Sequence, residues 1–293
     1  MPSRAEKLVR IEEAAGLVPD GARLALGGFG VYERPMAFAR ELVRQGRRNL
    51  TVVGHVNGPE VDLLAAGGAL SAVETSYVGL ERFGLAPNFT RAVDEGRVEY
   101  VVFSEQLSFD RFRANQAGLT FWPAIGIAGT EMVEGNPQIV EQLCPFTGNA
   151  YYAVTPANAD VVVLHAGRGD KYGNVALPEI RQASHSLDVI LAQGCDKVIV
   201  TLEEIVEPEV LRQESHLVEI PSFQVSAVVH APWGAHPTSV VGHYAADDGA
   251  FVEYLRLSQA EGEGAVTSVY DSEDAYRASF PTDSWRDEGL TRA

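Results

Sequence analysis

Short apolar runs separated by helical patterns recur along this chain, and that alternation admits few folds besides a mainly parallel sheet built from βαβ units. Apolar runs at 23–26, 50–53, 73–78, 98–103, 160–164, 197–201 and 224–229 are expected as strands. Helices are expected at 61–66, 88–95 and 106–117, and in three further places. Leu8, Ile11 and Ala15 fall at helical spacing in a first helix ending near Gly16. Pro35 suits the first position of a helix whose buried face carries Phe38, Ala39, Leu42 and Val43. Phe251, Tyr254 and Leu255 mark a helix near the end. The expected fold is an α/β one: an open, mainly parallel sheet with helices on both faces. It forms a single domain over 1–280, with a polar, frayed tail at 281–293. The weakly patterned 126–147 is expected to leave the sheet over its edge.

Composition matters here chiefly for what it excludes. Acidic residues number 40 against 23 basic ones, a net charge of −17 at pH 7. Nucleic-acid backbones and anionic membrane surfaces both demand clustered cations, so neither is an expected partner. Cys144 and Cys195 are far apart and form no C-x-x-C pair, which fits a reducing compartment without a disulfide framework. The N-terminus reads as a charged amphipathic stretch with no secretory signal, and the apolar runs are too short to span a bilayer. A cytoplasmic location is expected.

The chemistry-bearing feature is the glycine-dense loop Gly27, Gly28, Phe29, Gly30, which follows an expected strand and opens toward a helix. Ligands of open parallel sheets sit beyond the carboxyl ends of strands, where this loop falls. Its spacing is wrong for a dinucleotide: Glu33 stands where the third glycine would be, and Gly54-His55-Val56 offers no acid for a ribose. No G-x-x-x-x-G-K-[ST] occurs either. A purely structural tight turn is the competing reading.

Residues 20–35 resemble the N-terminal signature of family I coenzyme A transferases: Asp-Gly, two residues, three apolar residues, Gly-Gly-Phe, three residues, Gly-x-Pro. The match runs through Phe29 and resumes at Pro35, and Glu33 replaces a usual glycine. Further similarities follow in order: His55-Val56-Asn57-Gly58-Pro59-Glu60, Gly84-Leu85-Ala86-Pro87-Asn88-Phe89, Gly169-Asp170-Lys171-Tyr172-Gly173-Asn174-Val175, and Ala231-Pro232-Trp233-Gly234-Ala235-His236-Pro237-Thr238. In the last of these, Trp233 replaces a glycine. The run is most similar to A-type (alpha) subunits, such as those of glutaconate CoA-transferases and of steroid-ring-cleaving CoA hydrolases.

The resemblance implies a CoA-transferase-like fold and an enzyme acting on an acyl-CoA, with coenzyme A as cosubstrate and no permanently bound cofactor or metal. It implies a partner of the B type in a heteromer, with transfer of CoA to a small, dicarboxylic acid through a glutamyl-CoA intermediate. The nucleophilic glutamate belongs to a Glu-Asn-Gly-like stretch of that partner, and this chain has none. Gly27, Gly28, Phe29, Gly30, Asn57 and Gly58 are then expected as the substrate and oxyanion loops, and Asn174, Gly234, Ala235 and His236 as a rim for substrate or CoA. Because the loops show few cations, the partner is expected to supply much of the CoA site.

Glu105 is the catalytic candidate on this chain, placed just after a strand and resembling the working glutamate of the A-type chains of steroid-ring-cleaving hydrolases. Its other reading is an acid favoured by a helix N-terminus. With Glu105 as base or nucleophile, the alternatives are thioester hydrolysis, C–C cleavage, or decarboxylation of a glutaconyl-CoA-type substrate. A non-enzyme alternative is a ligand-sensing or scaffold protein, which calls for a basic phosphate cluster near the glycine loop; only Arg23 and Arg34 stand there. His230, His236 and His243 lack metal-ligand spacing. His55 and His165 rank below His236, as strand-end residues equally suited to a core. Cys195 reads as structural, and of Arg111 and Arg113 only one can face a pocket.

Overall fold

The computed structural model describes residues 5–260, 264 and 271–280, so the expected tail at 281–293 lies outside the described residues. The first half carries β1 (Leu8–Val9), α1 (Ile11–Ala15), β2 (Arg23–Leu26), α2 (Met36–Arg44), β3 (Leu50–Val53), β4 (Val56–Asn57) and α3 (Pro59–Ala66). It continues through β5 (Leu70–Thr75), β6 (Tyr77–Val78), α4 (Pro87–Asp94), β7 (Glu99–Val102) and α5 (Glu105–Gln116). Then come β8 (Trp122–Ala124), β9 (Ile139–Leu143), β10 (Ala150–Val154), β11 (Val161–Gly169), β12 (Val175–Ala176) and α6 (Ala183–Gln193). The chain closes with β13 (Val198–Ile205), α7 (Pro208–Gln213), β14 (Val218–Ile220), β15 (Val225–His230), α8 (Asp248–Ala260) and a short helix, Glu273–Arg277.

The main sheet runs β1-β15-β13-β11-β2-β3-β5-β7, and every neighbouring pair along that path is parallel. Only β12 and β14 join it antiparallel. The chain builds outward from β2 to β7, then returns to β11 on the other side of β2 and builds outward again. That reversal leaves a crevice at the carboxyl ends of β2 and β11.

Alternate strand residues feed two cores, as a sheet covered on both faces requires. Val161, Val163 and Ile199 pack with Phe38, Leu42, Leu64 and Phe89 of α2, α3 and α4. Val162, Leu164, Val198 and Val200 pack with Phe112, Leu187 and Leu191 of α5 and α6. The expected arrangement, mainly parallel with helices on both faces, is thus the observed one.

Three local expectations need correction. Leu8 is not helical: Leu8 and Val9 pair with Val228 and Val229 as an edge strand. The spacing of Leu8 and Ile11 satisfies a helix, but sheet pairing takes the first of them. Pro35 stands at the N-cap of α2 rather than inside its first turn. The excursion at 126–147 carries structure of its own: β9 pairs with β10, and β8 completes a separate antiparallel sheet beside edge strand β7. Ala124, Ile127, Ile139, Tyr152 and Val154 seat that sheet on Phe103 and Leu107.

Candidate active site

The loops that follow β2, β3 and β7 converge with the first turn of α6 around a cavity of about 540 Å³. Phe29, His55, Glu105, Gln106, Phe109, Ala183, Ser186 and Leu187 line it, with no Lys or Arg among them. Ser104 caps α5, its hydroxyl accepting from the Leu107 N–H at 3.2 Å, and so sets where Glu105 emerges. The Glu105 side chain is 67% exposed and its Oε1 lies 3.7 Å from His55 Nε2.

His55 is held on every side but that one. Phe29 and Phe109 flank its ring at centroid distances of 5.7 and 5.4 Å. Its Nδ1 is 2.8 Å from Ser108 Oγ, whose own proton goes to the Glu105 carbonyl at 2.9 Å. Burial, the largest influence, lowers the His55 pKa; the Glu105 carboxylate acts in the opposite sense and Arg34 adds to the lowering.

The glycine loop forms the wall behind this cavity. Gly28 has φ of 82°, and a Cβ there would lie 2.5 Å from the Tyr32 carbonyl oxygen. The expected oxyanion role meets a physical obstacle, because the loop's donors are already used inside the fold. Gly27 N–H donates to Val163 O at 2.8 Å, Phe29 N–H to Tyr32 O at 2.9 Å, and Gly30 N–H to Val56 O at 3.1 Å. Gly28 N–H donates to Asp188 Oδ1 at 2.9 Å. Gly58 N–H is taken by the Glu60 carboxylate at 3.1 Å, and the Asn57 amide is buried between Glu60 and Thr75. Of those six residues only Phe29 lines the cavity.

Beneath the loop, Arg34 is 1% exposed. It donates to the carbonyls of Leu26, Gly27 and Gly30 and lies 3.3 Å from Glu60. Arg23 is bound to Glu74 instead, so the two arginines build no phosphate cluster at the loop. Asp188 is 2% exposed, and burial pushes its pKa up to about 7.

Both substituted glycines prove to be left-handed residues, a conformation glycine adopts without strain. Glu33 has φ of 54° and Trp233 has φ of 62°. Each side chain is anchored: Glu33 by Ser184 and His185, Trp233 by stacking on Tyr244 at 4.3 Å.

The expected rim residues do not reach the Glu105 cavity. His236 is 2% exposed, paired with Asp247 at 3.1 Å and Tyr276 at 2.7 Å, and it borders a different, mainly apolar cavity of about 400 Å³. Gly234 and Trp233 donate their N–H groups to the buried Glu203 carboxylate, and Ala235 donates to the Tyr244 hydroxyl. That loop is fixed from below rather than presented to a ligand. Asn174 bonds Asp170 in its own turn, beside Tyr172 and Pro208. His165 is a core residue, between Thr201 and Glu203. Arg111 is buried against Glu74, and Arg113 lies outward near Asp110. Among the described residues, no group of three His, Cys, Asp or Glu side chains is placed to hold a metal, and no helix is long and apolar enough to cross a membrane.

Sequence reasoning undervalued His55 and passed over Asp188. A histidine one residue past a strand whose next neighbour ends in a glutamate is a detectable signal, since adjacent strand ends share one crevice. Asp188 gave none, lying far along the chain on a helix.

Comparison with known proteins bears on this geometry. A family model described as coenzyme A transferase matches residues 8–231. The chain is 32% identical over 247 residues to the A-type chain of 3-oxoadipate CoA-transferase from Pseudomonas knackmussii, covering 83% of this chain and 85% of that one. The crystal structure of glutaconate coenzyme A-transferase from Acidaminococcus fermentans superposes with a TM-score of 0.88 at 24% identity, over 97% of each chain, a likeness of fold. The decarboxylase AibA/AibB superposes with a TM-score of 0.80 at 30% identity, over 91% of this chain and 98% of that one. The chain spans 58% of the length of an uncharacterised Archaeoglobus fulgidus protein, to which it is 34% identical over 265 residues.

Proposed function

The chain belongs to the coenzyme A transferase family, and on that premise we propose that it is the A-type half of a two-subunit enzyme moving coenzyme A between an acyl-CoA and a small dicarboxylic acid. In this reading a partner glutamate attacks the thioester carbonyl, giving a mixed anhydride and CoA thiolate. The thiolate returns to the glutamyl carbonyl, releasing the donor carboxylate, and the acceptor carboxylate then takes the CoA by the reverse steps. The observation that carries it is the half-built cavity: an apolar wall of Phe29, Phe109 and Leu187 at the strand ends, with no cation of its own for a carboxylate or a CoA phosphate. A second subunit closing over Glu105 supplies the missing charge and the oxyanion donors that the glycine loop has already spent. An A-type role also agrees with the 3-oxoadipate relative, itself one half of a heteromeric enzyme.

One observation favours a second reading. Glu105 stands exposed in the cavity with His55 Nε2 3.7 Å away, a placement suited to a working carboxylate on this chain. The same scaffold would then carry out hydrolysis, C–C cleavage or decarboxylation of an acyl-CoA.

The assembled complex, incubated with glutaryl-CoA and then borohydride, separates the two. Reduction of a glutamyl-CoA thioester on the partner, located by mass spectrometry, supports the transferase. A reduced Glu105 moves the nucleophile to this chain. CoA release without any trapped glutamate, abolished by Glu105→Gln, supports hydrolysis or cleavage with Glu105 as base. Turnover of glutaryl-CoA by this chain alone would overturn the two-subunit proposal.

A further inference from the structure

We propose that His55, fixed by Ser108 with its Nε2 unprotonated, is the positioning and proton-accepting partner of Glu105. The inference rests on the reading in which Glu105 works as base, and adds a residue to it.

The hydrogen-bond chain dictates the tautomer. Ser108 has one hydroxyl proton, and it is spent on the Glu105 carbonyl, three residues back in the same helix turn. The hydroxyl oxygen therefore accepts from His55 Nδ1–H at 2.8 Å. A neutral imidazole protonated at Nδ1 has its lone pair at Nε2, and Nε2 is the nitrogen that faces the Glu105 carboxylate. Two aromatic faces, Phe29 and Phe109, prevent the ring from turning away. The charged groups acting on His55 are Glu105 of α5 and Arg34 from behind the glycine loop, and burial outweighs the carboxylate, which keeps the ring neutral near pH 7.

The separation of 3.7 Å is too long for a direct hydrogen bond and leaves a shared proton to be passed through a small rearrangement or one water. When Glu105 removes a proton from water or from a carbon acid, a carboxylic O–H forms. Passing that proton on breaks the O–H, forms an N–H at Nε2, and returns Glu105 as carboxylate beside an imidazolium. The resulting ion pair then loses its proton to solvent through the open cavity. A carboxylate regenerated in this way is ready for the next turnover without waiting for bulk buffer.

The test has a spectroscopic and a kinetic arm, both on the assembled complex. With only this chain labelled with 15N-histidine, NMR should show His55 as the Nδ1–H tautomer at neutral pH. Its pKa should fall further in Glu105→Gln, and Ser108→Ala should mix the tautomers. An Nε2–H tautomer, or a titration indifferent to Glu105→Gln, would overturn the proposal. In the kinetic arm, glutaryl-CoA turnover in the wild type should fall on acidification as His55 protonates. His55→Gln should lower kcat by about tenfold or more and abolish that acidic limb. His55→Gln with wild-type kcat and an unchanged pH profile would defeat the His55 inference while leaving Glu105 in place. Full activity in Glu105→Gln would instead defeat the reading on which it rests.

Discussion

Glu33 Oε1 lies 2.9 Å from His185 Nε2, which ties the end of the glycine loop to the first turn of α6. His185 Nδ1 accepts from the Gln182 N–H at 2.9 Å, so the proton on Nε2 is the one donated to Glu33. Ser184 adds a second donor to the same carboxylate at 2.8 Å. A left-handed backbone costs a non-glycine residue about 1–2 kcal/mol, whereas hydrogen bonds to a buried charge contribute about 1.5–3 kcal/mol each. Glu33→Gly should therefore lower stability by about 1–3 kcal/mol in chemical denaturation, despite relieving the backbone. A variant more stable than wild type would show that strain outweighs anchoring.

Gly28 and Gly68 separate two costs of adding a methyl group. Both are left-handed, at φ of 82° and 61°. A Cβ on Gly68 meets nothing within 4 Å, while one on Gly28 meets two backbone carbonyls at 2.5 and 2.6 Å. Gly68→Ala should cost about 1 kcal/mol, and Gly28→Ala should cost visibly more in the same denaturation assay, because backbone atoms cannot step aside. Equal losses would mean that the loop relaxes freely.

Arg34→Ala leaves the Glu60 charge and three loop carbonyls without their buried partner. Breaking such a pair costs about 3–5 kcal/mol. Loss of soluble folded protein, or a denaturation midpoint lowered by that amount, is the expected result. A change below about 1 kcal/mol would place the loop's support elsewhere.

Asp188 makes stability depend on pH in the less common direction. Its folded pKa is raised to about 7, so the folded chain holds a proton that the unfolded chain releases above about 4. Its contribution is present in acid and is lost as pH rises through that window. Asp188→Asn keeps an oxygen for the Gly28 N–H but cannot ionise. Relative to wild type, its Tm should rise progressively between about pH 4 and about pH 7. A constant Tm difference across that range would contradict the shift.

His236 acts with the opposite sign. Burial lowers its pKa to about 4, so the unfolded chain binds a proton that the folded chain refuses between about 4 and about 6.5. Stability should fall on acidification through that window, and His236→Gln should flatten the wild-type slope there in thermal melts.

The strand runs and their helices were readable because burial on both faces forces continuous apolar stretches such as Val161-Val162-Val163-Leu164. Glu105 was readable for the same reason, as the first polar residue able to emerge where a strand ends. The fate of the glycine loop was not. Backbone N–H groups look alike in a sequence, whether they face a substrate or Asp188, a residue 160 positions away. His236 showed the same blindness: a motif histidine looks available until Asp247 and Tyr276 close over it.

The alternation of short runs settled a parallel α/β sheet, and ordered motifs settled the family, because both are properties of residues near one another in the chain. Which side chains meet was decided only in three dimensions. β2, β3 and β7 lie together in the sheet though their loops are distant in sequence, and that order brings Phe29, His55 and Glu105 around one cavity. The net charge of −17 excluded nucleic acid at the outset. Only the fold shows that no cation lines the cavity, because a sum over the chain carries no information about where each charge stands.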